Sequence, residues 1–241
     1  MSRSVVSSTV VVAMDGPSGS GKSSTSRGVA ARLGLRYLDT GAQFRAMTAW
    51  MLDHDVDLTD PDAVAAHATR PVLESGSDPN APTITVDGVD VSERVRSQEV
   101  TDHVSAVASV PAIRQRLLEM QRAAIADASR LGGAGGIVVE GRDIGSVVAP
   151  DAAVKVYLTA EASARARRRT AENGGGTVEA TEADLIRRDT IDSGRAAAPA
   201  VMPDGAVHLD TTRYSLEEVI DQVVALVETA LSAAGPAKDG A

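Results

Sequence analysis

The chain has 241 residues, 43% of them hydrophobic, and can bury a full core. Its formal net charge of −9 and 2% aromatic content exclude a general nucleic-acid binder, which would present a basic footprint or a stacking platform. With no cysteine, no secretory h-region and no apolar window near roughly eighteen residues, a cytoplasmic protein without disulfides, thiolate metal sites or a membrane span is expected.

Residues 10–14 (VVVAM) form a short β-branched run, the pattern of a strand buried in a parallel sheet. Gly16, Pro17, Ser18, Gly19, Ser20, Gly21, Lys22 and Ser23 follow and fit G-x-x-x-x-G-K-[ST] at every required position, with Ser24 next. Glycines let consecutive amides turn inward as an anion nest, and a helix opening near Lys22 adds its positive dipole end. In this pattern the Lys22 ammonium reaches the β- and γ-phosphates of a nucleoside triphosphate, and the Ser23 hydroxyl ligates Mg²⁺.

A second strand is expected at 36–40, then a helix over 41–52 with Phe44, Met47 and Met51 on one face, and a short helix near 61–69. The segment 83–86, the Asp87-Gly88 turn and 89–91 read as a hairpin, taken as part of an inserted lobe. Ser97 caps a helix carrying Val100, Val104 and Val107, and Pro111 stops it and starts another. The glycine-rich 132–136 reads as a flexible loop, 137–140 and 153–158 as strands, and an arginine-rich helix leads to a mobile tip at 173–176. A helix at 179–193, a strand at 206–209 and a final helix opened by the Ser215–Glu218 capping box complete the pattern. Residues 232–241 are expected to be disordered.

This alternation implies an α/β fold: a three-layer open parallel sheet of about five strands with helices on both faces. Ligands in such a sheet gather at the carboxyl ends of the strands, where Thr40, Arg142, Asp143 and Thr211 fall. The expected organisation is one core over 8–231, an inserted lobe at 70–103 and a lid at 161–196. Four scattered histidines (His54, His67, His103, His208) have no metal-ligand spacing.

The arginines cluster at 165–169 and 187–195, joined by Arg45 and Arg142. Transfer of a phosphoryl group onto another phosphate crowds negative charge, which arginine's planar fork neutralises and orients. No guanine-reading Asn/Thr-Lys-x-Asp segment is present, which argues against a GTPase. Three readings stay open on the residues alone: a kinase for a nucleoside monophosphate, a kinase for another acceptor such as shikimate, with Asp39 as the candidate base, and an ATP-binding switch.

Taken together, Gly16–Ser24, Leu38-Asp39-Thr40-Gly41-Ala42 with Phe44-Arg45, Gly141-Arg142-Asp143-Ile144-Gly145, and Arg188-Asp189 through Asp192 to Arg195 resemble the bacterial cytidylate kinases, nucleoside monophosphate kinases of the P-loop class. The resemblance runs in order from about residue 10 to 231. It implies ATP-Mg²⁺ as phosphoryl donor and CMP or dCMP as acceptor, in a protein expected to act as a monomer. It also implies that Thr40, Arg45, Arg142 and Arg195 hold the acceptor phosphate, that Ser105, Arg114 and Asp143 read the cytosine edge, and that Arg188 and Asp192 contact the pentose. Phe44 would pack against the base, and Arg165, Arg168 and Arg169 would reach the transferring phosphate. The family pattern often has Ser and Tyr where this chain has Thr40 and Phe44; Thr40 keeps the hydroxyl and Phe44 does not.

Overall fold

The structure is a computed structural model and describes residues 10–130, 135–173, 177–194 and 200–233. Residues 132–134 of the expected glycine loop, the tip at 174–176, Arg195 and the tail from 234 onward lie outside the described residues.

Strand β1 (Val10–Asp15) leads into α1 (Lys22–Leu33), β2 (Arg36–Asp39) and α2 (Thr40–Asp53). Further along, β6 (Gly136–Glu140), β7 (Val154–Thr159) and β8 (Val207–Asp210) complete a five-stranded sheet of order β2-β6-β1-β7-β8, every pairing parallel. β1 and β2 are successive in sequence, yet β6 lies between them. Such a reversal of strand order opens a crevice beyond the carboxyl ends of the strands.

Both faces are covered, as a parallel sheet requires. Val10, Val12 and Met14 pack with Val29 of α1 and with Val219, Val223 and Val227 of α8 (Leu216–Ala233). On the opposite face, Ala13 packs with Ile137, Val139 and Leu38 against Ala128 of α5 (Pro111–Arg130). The alternation follows from the two-residue period of a strand. α8 runs to Ala233, so Ser232 and Ala233, expected in a disordered tail, are its last residues.

A second core lies beside the sheet. It joins α2 and α5 to α3 (Pro61–Ala66), α4 (Gln98–Ser109) and a small antiparallel sheet of β3 (Leu73–Ser75), β4 (Ile84–Val86) and β5 (Val89–Asp90). Here the sequence expectation of a two-stranded hairpin is corrected. Leu73–Ser75 adds a third strand, pairing Leu73 with Val86 and Ser75 with Ile84. Asp87 and Gly88 turn the β4–β5 hairpin with φ of 51° and 80°, the left-handed pair that a tight hairpin needs. Trp50 of α2 reaches this turn: its Nε1 donates to Asp87 Oδ2 at 2.8 Å, and its ring stacks on His54 at 3.9 Å between centroids.

Leu117 of α5 is wholly buried in this second core. Leu117→Ala is expected to cost about 2–5 kcal/mol of folding stability, read by urea denaturation.

Candidate active site

The loop after β1 takes the conformation its glycines permit: φ is 142° at Gly16, 76° at Gly19 and 88° at Gly21. A Cβ on Gly16 would lie 2.0 Å from the backbone oxygen of Leu158, so β7 passes too close for any side chain. No described side chain caps α1, whose leading amides are therefore left for an anion. Lys22 folds back over the loop, its Nζ donating to Pro17 O at 2.8 Å. Burial, followed by repulsion from Arg142, lowers the Lys22 ammonium to a pKa of about 8.

Beyond this loop opens a cavity of about 490 Å³. Ser18, Gly19, Gly21, Lys22, Ser23 and Ser24 form its floor, whereas Gly16, Pro17 and Ser20 shape the loop without lining the cavity. The first two turns of α2 contribute Thr40, Phe44 and Arg45. Thr40 was expected at the end of the second strand; it is the first residue of α2, because Asp39 caps that helix by accepting from Ala42 N at 2.9 Å. The Thr40 hydroxyl donates to Glu140 O at 2.7 Å. Arg45 Nη1 donates to Val95 O at 3.0 Å and Thr101 Oγ1 at 2.9 Å. Burial, then the like charges of Arg188 and Arg169, push its pKa down to about 9, which still leaves it charged at neutral pH.

Across the cavity, Asp143 pairs with Arg114 Nη2, and Arg114 Nη1 donates to Ala108 O at 3.2 Å. The Arg114 guanidinium stands 5.5 Å from the centre of the Phe44 ring, a cation–π arrangement. Ser105 of α4 lines the same wall. Helix α7 (Val178–Ser193) supplies Arg188 and Asp192. Arg142 bridges to Asp192 at 2.6 Å and to Asp189 at 3.4 Å. The Nε of Arg188 is buried and has no hydrogen-bond partner among the described residues.

The arginines of α6 (Ala162–Asn173) divide. Arg169 lines the cavity; Arg165 and Arg168 do not. Arg165 is buried behind the loop, its Nη1 donating to Ser18 O at 3.1 Å and to Asp189 Oδ2 at 2.5 Å. Arg168 grips Thr211 at Oγ1 (2.9 Å) and O (2.7 Å), and the Thr211 hydroxyl in turn donates to Ser20 O at 3.0 Å. Both brace the phosphate loop from outside.

Sequence reasoning passed over Glu140, Tyr37 and Asp15. Glu140 closes β6, accepts from Ser23 Oγ at 3.1 Å through Oε2 and from the Tyr37 hydroxyl through Oε1. Burial, then repulsion from Asp39, raises its pKa to about 7. A lone carboxylate ending the apolar run Ile137-Val138-Val139 was the available signal. Among the described residues no group of three or more His, Asp or Glu could by itself hold a metal. A hydroxyl beside one carboxylate suits Mg²⁺, which takes one or two protein oxygens and completes its shell with phosphates and water.

A loop made for a triphosphate, faced across one cavity by a wall of arginines, calls for two phosphate-bearing ligands side by side. That requirement defines a P-loop kinase whose acceptor is itself phosphorylated. The sequence profile of the family described as Cytidylate kinase matches residues 12–229. Cytidylate kinases from Streptomyces avermitilis and Streptomyces coelicolor are 54% and 58% identical to the chain, each over 91% of it and 93% of the relative. A crystal structure of an uncharacterised protein from Eubacterium ventriosum shares the fold, with a TM-score of 0.51 at 8% identity, covering 92% of this chain and 99% of that one. The chain belongs to the cytidylate kinase family.

Arg165→Ala would take from Asp189 its nearer arginine, leaving Arg142 at 3.4 Å, and would remove a donor from the Ser18 carbonyl; it is expected to cost about 2 kcal/mol of stability in a denaturant titration. The neighbouring, exposed Arg167→Ala is expected to change stability by less than about 0.5 kcal/mol.

Proposed function

We propose that the chain transfers the γ-phosphoryl group of ATP to the phosphate of CMP or dCMP, giving ADP and CDP or dCDP. The observation that carries this reading is the Arg114–Asp143 pair, held in the wall of the same cavity as Lys22. A carboxylate held by arginine accepts from the exocyclic amine of cytosine, a donor that uracil lacks. A site built to pair a polar group rejects the analogue without it.

In this reading Thr40, Arg45 and Arg142 hold the acceptor phosphate, together with Arg195. Ser105, Arg114 and Asp143 read the base, Phe44 packs beside them, and Arg188 and Asp192 contact the pentose. Arg142 then exchanges Asp189 and Asp192 for phosphate oxygens. Arg169 reaches toward the transferring group, while Arg165 and Arg168 keep the loop in shape. Ser23 and Glu140 would hold Mg²⁺, which supplies neutralisation of charge on the β- and γ-phosphates.

An acceptor phosphate oxygen is already anionic near neutral pH, so attack needs no general base. Asp39, the candidate base for a hydroxyl acceptor, lines the same cavity and caps α2 through Oδ1, and burial raises its pKa; the phosphate acceptor proposed here does not require it. Positioning and electrostatic stabilisation are what these residues contribute. Core 8–231, lobe 70–103 and lid 161–196 would close around the substrates and exclude water. No helix of the described residues is long and apolar enough to cross a membrane. In this reading the protein acts as a cytoplasmic monomer.

ADP formation measured against CMP, dCMP, UMP, AMP, dTMP, GMP and shikimate is expected to be dominated by CMP and dCMP; turnover confined to another acceptor would refute the base assignment. Lys22→Ala is expected to lower kcat by about 10³-fold or more without loss of fold, since its charge acts on the transferring phosphate. Asp143→Ala is expected to reduce the CMP-over-UMP preference in kcat/KM by about 10²-fold.

A further inference from the structure

Asp15 is the last residue of β1, directly before the phosphate loop, and is completely buried. Its two carboxylate oxygens accept one bond each, Oδ1 from Ile144 N and Oδ2 from Gly145 N, both at 2.8 Å. Those amides open a π-helical turn, Ile144–Val148, which begins immediately after Arg142 and Asp143. Inside the turn Val147 N and Val148 N both donate to Asp143 O, at 2.9 and 3.2 Å.

The leading amides of any helical turn find no partner within it and need an acceptor from outside. The residue placed to cap this turn is Asp143, yet its side chain makes no cap bond. Its carboxylate points instead to Arg114 and the cavity. Aimed there, it makes no bond to the turn's leading amides, and their acceptor is supplied by a neighbouring strand.

We infer that Asp15 is a positioning residue for the acceptor: by capping the 144–148 turn from β1, it releases Asp143 for the base and fixes the backbone that aims Arg142 and Asp143. The inference rests on the reading that those two residues face the acceptor. It explains why a strand otherwise made of valine, alanine and methionine ends in a buried acid. Burial, opposed by the two amide bonds, raises the Asp15 pKa to about 6, which leaves the cap an anion at neutral pH. It also gives one residue a hold on both substrates, because the chain continues from Asp15 into Gly16 of the donor loop.

Asp15→Asn keeps the shape but turns an NH₂ group toward one of the two amides, so one bond is lost. The expected result is a rise of about tenfold in KM for CMP and a fall in CMP-over-UMP preference, with KM for ATP changed less than about twofold. Mere loosening of β1 would disturb ATP at least as much, since the donor loop is the nearer neighbour. An unchanged KM for CMP, or KM values for CMP and ATP that rise together, would overturn the inference. Asp143→Ala run in parallel separates the two readings. If that variant loses base preference while Asp15→Asn leaves KM for CMP unchanged, the positioning role fails and the base assignment survives. If Asp143→Ala keeps base preference while Asp15→Asn raises KM for CMP alone, the base assignment fails and the positioning role survives. Should Asp15→Asn not fold, Asp15→Ser, with one hydroxyl acceptor, is scored in the same way. Amide exchange on the unaltered protein adds an independent check: Ile144 and Gly145 are expected to exchange only on global unfolding, and rapid exchange at both would overturn the inference.

Discussion

Crowding of like charge is the constraint on which the rest of this structure depends. Lys22, Arg45, Arg142, Arg169 and Arg188 all face one cavity. Their repulsion is visible in the lowered pKa values of Lys22, Arg45 and Arg188, in each of which burial is joined by a neighbouring arginine. Without phosphates, that charge must be balanced from within the fold. Asp189 and Asp192 of α7 do so for Arg142, and Asp143 does so for Arg114. In the proposed reading acceptor phosphate oxygens would replace Asp189 and Asp192 at Arg142 while Asp143 stays with Arg114, so binding would exchange anions at Arg142 rather than bury naked charge.

Around this charge the fold divides its labour. The apolar faces of the parallel sheet hold β1, β6 and β7 in register, so that Asp15, Glu140 and the phosphate loop meet at one edge. The small sheet joins the molecule through a separate apolar core, and polar ties sit at its inner rim. Gln121 donates to Gln43, Gln43 donates to Ser75, and Arg27 Nε donates to Pro79 O at 2.8 Å. Apolar burial sets where the lobe packs; these few hydrogen bonds set its approach to the cavity.

Much of this was legible in the chain because local chemistry enforces it. The glycine spacing of 16–21 dictates the loop, and β-branched runs ahead of polar residues mark strands that end in the crevice. What stayed hidden depends on partners distant in sequence. Leu73–Ser75 has no strand signature of its own and is a strand because β4 lies beside it. The turn after Asp143 has no local cap, and its acceptor comes from Asp15, far back in the chain. Likewise, Arg165, Arg168 and Arg169 look equivalent on a helix drawn alone. Only packing decides that the first two grip Ser18 and Thr211 while the third faces the cavity.

Trp50 is the only tryptophan in the chain, and it bridges α2 to the turn of the small sheet through Asp87. Its indole also lies flat on His54. The protein thus carries a natural fluorophore at the junction between its core and the element proposed to close. Displacement of the small sheet would break the indole's hydrogen bond and alter its solvation. Closure of the lobe as proposed would therefore be written into the ultraviolet emission of the unlabelled chain, and stopped-flow mixing with either nucleotide would time it apart from phosphoryl transfer.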